Sequence, residues 1–257
     1  RELHRIARRQ RQMCIRDRPK EVYIALKGEN FDGHLFITEA IKKGASAIVL
    51  DRQVECNIPN IIVDDSYKFM NHVAVHNRNY FKGKMVGITG TNGKTTTKQI
   101  IANLLNSQGS CHQTIGNKNN QIGVPYSLLT LGNNHDYSVI EMGTSEPGEI
   151  KKLNTLVKPD IAAITNVSIG HLDGLRDTES IAIEKGNILN FWNEDGTAIL
   201  PRDSNFYEYW SNETNAKQII SFGIHDDSDF KVSSIKIDVL NNLTHFRLRF
   251  DGKEENF

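Results

Sequence analysis

The sequence predicts an α/β protein, with a small N-terminal α/β unit followed by a phosphate-loop type of mostly parallel sheet with flanking helices. Three observations carry this. Short apolar runs suited to buried strands alternate with segments whose apolar residues recur at helical spacing. A glycine loop, Gly90-Thr91-Asn92-Gly93-Lys94-Thr95, lies directly between one such run and a helical segment. At 257 residues the chain is long enough for two domains of ordinary size, each with its own core.

The orderly pattern begins at Glu21. Val22 to Leu26 reads as a strand, Gly28 to Gly33 as a loop, and Phe36, Ala40 and Ile41 as the apolar face of a helix that stops at Gly44. Ala45 to Leu50 and Ile61 to Val63 read as buried strands. Tyr67 to Tyr80 reads as a helix that leads through Lys82-Gly83-Lys84 into the second unit. The boundary is placed near Lys82, so that the units are 19–82 and 83–257. The second unit opens with the strand Met85 to Thr89, followed by a helix with Ile100, Ile101, Leu104 and Leu105 on one face, then the strands Tyr137 to Glu141 and Ile161 to Thr165. Ala198 to Leu200 and Gln218 to Phe222 extend the sheet. Lys231 to Ile237 and Thr244 to Phe250 alternate like a half-exposed antiparallel hairpin around Asn241-Asn242.

Composition narrows the function classes. The 31 basic side chains balance 31 acidic ones, so no global charge argues for a nucleic-acid or membrane partner. The longest apolar stretches are far too short to span a bilayer. Three cysteines, Cys14, Cys56 and Cys111, show neither metal-ligand spacing nor a disulfide framework, which fits a reducing cytoplasm. Residues 1–18 stand apart, with seven arginines against one Glu and one Asp. A solvated basic helix, a nucleic-acid arm and sequence foreign to the native protein are the three readings, and the last is favoured because the family resemblance described below starts only after this stretch.

The glycine loop carries the sharpest chemistry. Glycines let backbone N–H groups turn toward phosphate oxygens, the helix N-terminus adds a favourable dipole, Lys94 adds charge, and the Thr95 hydroxyl suits magnesium. The helix opens with Thr96 and Thr97. The strict phosphate-loop pattern would place Gly at position 88, where this chain has Ile88.

The form Gly-Thr-Asn-Gly-Lys-Thr resembles the loop of the Mur ligases and the related folylpolyglutamate synthases. Residues 23–34, Tyr-Ile-Ala-Leu-Lys-Gly-Glu-Asn-Phe-Asp-Gly-His, and 116–125, Gly-Asn-Lys-Asn-Asn-Gln-Ile-Gly-Val-Pro, are similar to motifs of the Mur subgroup that adds D-alanyl-D-alanine to UDP-N-acetylmuramoyl-tripeptide. That resemblance implies ATP as the energy source, Mg2+, an acyl-phosphate intermediate, a cytoplasmic location and a monomer. It implies that Lys27, Gly28, Phe31, Asp32, Gly33, His34, Asn117, Asn119 and Asn120 contact the muramoyl substrate. ATP would be held by Gly90, Thr91, Asn92, Gly93, Lys94, Thr95 and Thr96, with Asn166 a weaker candidate. Glu141, ending a strand, matches a magnesium ligand, and His171, within Thr165 to Gly174, matches a histidine near a second magnesium. Lys185 matches a lysine carried as a carbamate, whereas on its own it reads as an ordinary surface lysine. Asp173, like Asn166, is as readily a turn residue. The resemblance further implies a three-domain enzyme, of which this chain covers the first domain and most of the second, and hence poor catalysis by these residues alone. The rival readings are a sister amide ligase or a folylpolyglutamate synthase, a nucleotide-binding regulator or nucleic-acid-binding ATPase, and a nucleotide-binding pseudo-ligase. The Asn119-Asn120 pair and the Phe31-Asp32-Gly33-His34 loop favour the D-alanyl-D-alanine subgroup over its sisters.

Overall fold

The computed structural model describes residues 20–28, 31–168, 177–239, 241 and 243–257. The chain divides into two compact units between His76 and Asn77, within the helix Ser66–Tyr80.

In the first unit, β1 (Val22–Ile24), β4 (Ala47–Leu50) and β5 (Asn60–Ile62) form a parallel sheet in the order β1-β4-β5, and β2 (Lys27–Gly28) pairs with β3 (Phe31–Asp32) as a short antiparallel ribbon. A 3-10 turn, Gly33–Phe36, runs into helix α1 (Ile37–Lys42). Tyr23, Ala25, Ile37, Ala40, Ile48 and Leu50 make the core, with Phe36 and Ile41 packed against it. The expected helical face at Phe36, Ala40 and Ile41 is therefore apolar and inward. The segment read as a buried strand at Ile61 to Val63 differs: β5 covers Asn60–Ile62, and Ile61 and Ile62 are about half exposed. It is an edge strand, and an apolar run alone does not distinguish an edge from a centre.

The helix Ser66–Tyr80 is α2. The second unit is built on a nine-stranded sheet among the described residues. Its strands are β6 (Lys84–Thr89), β7 (Cys111–Gln113), β8 (Tyr137–Glu141), β9 (Ile161–Ile164), β10 (Thr197–Pro201), β11 (Gln218–Gly223), β12 (Phe230–Asp238), β13 (Leu243–Phe250) and β14 (Lys253–Asn256). The order is β14-β13-β12-β11-β10-β9-β6-β8-β7, parallel from β7 to β12 and antiparallel from β12 to β14. The expected hairpin is thus present. Both faces of the parallel part are covered, which is why β6 and β8 are buried at every position but the first.

Helix α3 (Lys94–Asn106) lies against β6, β7 and β8, and it presents a different face from the expected one. Lys98, Ile101, Ala102 and Leu105 turn inward, whereas Ile100 and Leu104 are more than half exposed. The inward set follows the i, i+3, i+4, i+7 rule once a lysine is admitted to an otherwise apolar stripe. The remaining helices are α4 (Gly123–Leu129), α5 (Glu149–Val157), α6 (Thr178–Gly186) and α7 (Tyr207–Glu213). Within the second unit, Arg78 meets the end of α5, its Nε donating to the Val157 carbonyl at 2.6 Å and its Nη2 to that of Lys158 at 2.7 Å. Such bonds satisfy the last carbonyls of a helix.

A buried histidine sits near the sheet edge. His112, on β7, has its Nδ1 3.1 Å from the Ser138 hydroxyl and its Nε2 3.1 Å from that of Thr130. Burial, with the neighbouring His135 ring adding repulsion, lowers its pKa from 6.5 to about 4. Between those values the unfolded chain binds a proton that the folded chain does not. Stability should therefore fall as pH drops from about 6.5 to about 4, with this ring contributing a loss of up to ~3 kcal/mol. Urea unfolding at neutral and at mildly acidic pH measures it. His112→Gln should lack this part of the acid loss, and an equal loss in both proteins would refute the assignment.

Candidate active site

The site residues of the second unit gather at one end of the parallel strands. Strands β9, β6 and β8 are neighbours, with Ile88 paired to Glu141 and Thr89 paired to Ile164. The loops that leave β6 and β9 and the last residue of β8 therefore reach the same level. Carboxyl ends of strands are where an open parallel sheet receives ligands.

The loop after β6 is shaped for close approach. Gly90 has φ +151°, and a Cβ there would collide with the Thr165 hydroxyl. Gly93 has φ +77° and caps the start of α3 in the left-handed conformation. The segment after β9 braces this loop. Thr91 N–H donates to the Asn166 carbonyl and Asn92 N–H to the Asn166 Oδ1, both at 3.0 Å, while Asn166 Nδ2 and the Thr165 hydroxyl donate to the Asn92 carbonyl. Asn166 is thus engaged with the loop backbone. Lys94 curls back, its Nζ donating to the carbonyls of Gly90 at 2.8 Å and Thr91 at 3.0 Å. Burial lowers its pKa, and Glu141 opposes that shift. Thr95 and Thr96 are exposed in the first turn of α3, where N–H groups have no partner within a helix.

Glu141 is the hub. Its side chain is 1% exposed, yet Oε2 accepts from the Thr95 hydroxyl at 2.9 Å and Oε1 from Asn119 Nδ2 at 2.6 Å. Lys98 Nζ stands 3.6 Å from Oε2. The Glu141 N–H donates to the Thr114 hydroxyl at 3.0 Å. Thus Thr95, Glu141 and Asn119 come together. Asn120 is used differently: its Oδ1 accepts from the N–H groups of Ile122 and Gly123 at the start of α4. Asn117 is exposed, and its carbonyl accepts from Asn119 N–H.

Lys185 is 5% exposed, which corrects the reading of a surface lysine. Burial, reinforced by repulsion from Lys94 and opposed by Glu184, lowers its pKa to about 8. Its neighbour Glu184 is also buried and accepts from Gly148 N–H and Ile150 N–H, both at 2.7 Å, so that it caps α5 from another helix. Trp210 Nε1 donates to the Ala182 carbonyl at 3.0 Å and fixes the same helix from the other side. Lys98, Thr114 and Glu184 escaped the reading of the sequence. Lys98 had a signal, a charge on the apolar stripe of α3; Thr114 and Glu184 had none, because their partners are distant in the chain. His171 and Asp173 lie outside the described residues.

In the first unit, Asp32 and His34 are bound to each other. Asp32 Oδ1 accepts from His34 N–H at 3.0 Å and meets its Nδ1 at 2.8 Å, Arg52 donates to Oδ2 at 2.5 Å, and His34 Nε2 lies 3.1 Å from Asp51. Burial pushes the Asp32 pKa up, but these hydrogen bonds and the Arg52 charge outweigh it and bring the value to about 2. Gly33 leaves no room for a Cβ beside the Leu26 backbone. Phe31 stacks on Phe36 with centroids 5.4 Å apart, and Lys27 and Gly28 are exposed.

Comparison with known proteins identifies the family. The Mur ligase middle domain matches residues 88–256, and a second model, Mur ligase family, catalytic domain, matches residues 11–82, beginning inside the basic segment. A UDP-N-acetylmuramoyl-tripeptide--D-alanyl-D-alanine ligase of Buchnera aphidicola is 36% identical over 84% of this chain and 48% of its own. The structure of MurF from Acinetobacter baumannii superposes with a TM-score of 0.83 at 29% identity, covering 93% of this chain and 52% of that one. The MurF ligase of Thermotoga maritima in complex with ADP gives 0.80 at 29% identity, covering 95% and 58%. The chain spans about half the length of the curated relatives it matches. Matched over most of its length by the family's middle domain, and built around that phosphate loop, this chain belongs to the Mur ligase family.

Proposed function

We propose that this chain supplies the substrate-holding and nucleotide-binding parts of an ATP-dependent ligase that joins D-alanyl-D-alanine to UDP-N-acetylmuramoyl-tripeptide in peptidoglycan synthesis. The observation that carries the reading is the convergence of Thr95 and Asn119 on the buried Glu141 carboxylate beside the Lys94 loop. The relatives' names support the choice of substrate. Residues 19–82 are assigned to the UDP-muramoyl substrate, through Lys27, Gly28, Phe31, Asp32, Gly33 and His34. Residues 83–257 are assigned to ATP through Gly90 to Thr96, with Asn166 bracing the loop and Asn117, Asn119 and Asn120 assigned to substrate.

In this reaction the terminal carboxylate of the tripeptide attacks the γ-phosphorus of ATP, ADP leaves, and an acyl phosphate forms. The amine of the incoming dipeptide then attacks the acyl carbon, phosphate leaves, and the amide is complete. Loop amides orient the phosphates, and Lys94 offsets the charge on them. A magnesium ion, when bound, draws further negative charge from the phosphates. Thr95 and Glu141 would hold it, because a hard cation takes oxygen ligands and these side chains bring a hydroxyl and a carboxylate oxygen to one place, 2.9 Å apart. Among the described residues no three His, Cys, Asp or Glu side chains cluster, so the other ligands would include phosphate oxygens. His171 and carbamylated Lys185 are assigned as further ligands. With a pKa of about 8, Lys185 has a neutral fraction near pH 7 that can attack carbon dioxide; the nitrogen loses a proton, and a cation beside Lys94 becomes an anion. The protein is assigned to the cytoplasm, as a monomer without a nucleic-acid partner. Among the described residues no helix is long and apolar enough to cross a membrane.

Two measurements test this reading. Calorimetry should give selective binding of UDP-N-acetylmuramoyl-tripeptide over the corresponding dipeptide and over a folate; preference for either competitor, from a folded sample, would move the assignment to a sister ligase. With 13C-labelled carbon dioxide, NMR should show a carbamate signal that grows as pH rises through about 8 and vanishes in Lys185→Arg. A signal that survives in Lys185→Arg would remove that lysine from the site.

A further inference from the structure

The ammonium of Lys98 is buried, 2% exposed, on the face of α3 that meets the sheet. Its Nζ donates to the Thr114 carbonyl at 2.9 Å and the Gly116 carbonyl at 2.6 Å, and stands 3.6 Å from Glu141 Oε2. Lys98 follows Lys94 and Thr95 by about one helical turn, so it moves with the residues that flank the phosphate loop. Its two carbonyl partners begin the segment 114–120. That segment returns to Glu141 twice, through the Thr114 hydroxyl, which accepts from the Glu141 N–H, and through Asn119 Nδ2.

We propose that Lys98 is a positioning residue that couples the phosphate loop to the 114–120 segment. The proposal rests on the nucleotide reading given above. Thr95 and Lys98 share one carboxylate oxygen, Glu141 Oε2. When Thr95 and Glu141 engage phosphate and its cation, less of the carboxylate charge is directed at Lys98, and its three N–H donors fall more fully to the two carbonyls. Occupancy of the loop thereby tightens 114–120, the segment that carries Asn117, Asn119 and Asn120. A lysine that merely filled space would hold the same segment equally with and without nucleotide.

Hydrogen exchange followed by mass spectrometry on the full chain, with and without a non-hydrolysable ATP analogue and Mg2+, separates these cases. Peptides spanning 90–97 report occupancy, and peptides spanning 114–120 report the coupling. In the wild type, nucleotide should slow exchange in both, by about five-fold or more in 114–120. In Lys98→Met, protection of 90–97 should persist while the nucleotide-dependent protection of 114–120 is lost. Because Lys98→Met leaves a buried carboxylate short of its counter-charge, Lys98→Gln, which keeps a neutral donor for one carbonyl, is the second variant, and the same loss is expected there. Unchanged 114–120 protection in either variant would overturn the proposal. So would a wild type protected at 90–97 alone, which leaves the nucleotide site standing. A wild type protected at neither would overturn the nucleotide reading as well.

Discussion

Glu141 carries a carboxylate that is 1% exposed at the end of β8, and taking such a charge out of water costs several kcal/mol unless other groups replace the lost solvent. Here the Thr95 hydroxyl, the Asn119 amide and the Lys98 ammonium surround it. They come from two pieces of chain: α3, which supplies Thr95 from its first turn and Lys98 from its second, and the segment before α4, which supplies Asn119. Satisfying one buried charge therefore fixes how the phosphate-loop helix and the 114–120 segment sit on the sheet. Two oxygens suited to a cation are held together by the same arrangement.

The sheet order makes this possible. With β6 between β9 and β8, the phosphate loop receives its brace from Thr165 and Asn166 on one side and its acidic partner from Glu141 on the other. The lysine after β9 is reached by a different route. Glu184 caps α5 and Trp210 holds the Ala182 carbonyl, so α6 is anchored by contacts that do not involve Lys185 itself. Two lysines close enough to repel, Lys94 and Lys185, are tolerated because α6 is anchored at other points. Glu141 and Glu184 offset part of that repulsion, and two buried lysines so placed suit a site that receives anions.

Much of this was legible in the sequence because the signals are local. The strand, glycine loop and helix from Met85 onward form a contiguous motif, and β8 centres on Val139 and Ile140 between Tyr137 and Glu141, so both elements are legible directly. Resemblance rather than spacing pointed to Lys185, whose burial depends on α6 packing that no local pattern reveals. The exposure of Ile61 and Ile62 is not legible in the sequence, because apolar runs do not report which strand lies at an edge. The burial of Lys98 is hidden for a related reason: its residue type points to solvent, and only the partners Thr114, Gly116 and Glu141 explain why a cation lies on the inward face. His112 likewise depends on Ser138 and Thr130, which the fold brings to it.

On the proposed function, Glu141 and Thr95 are the protein groups that meet a divalent cation carried with nucleotide. Electron paramagnetic resonance of Mn2+, titrated into the protein with and without ATP, tests this assignment most directly. Wild type should bind Mn2+ together with ATP, and Glu141→Gln, which keeps the shape but not the charge, should weaken that binding by about ten-fold or more while remaining folded. Equal Mn2+ binding by the two proteins in the presence of ATP would contradict the account.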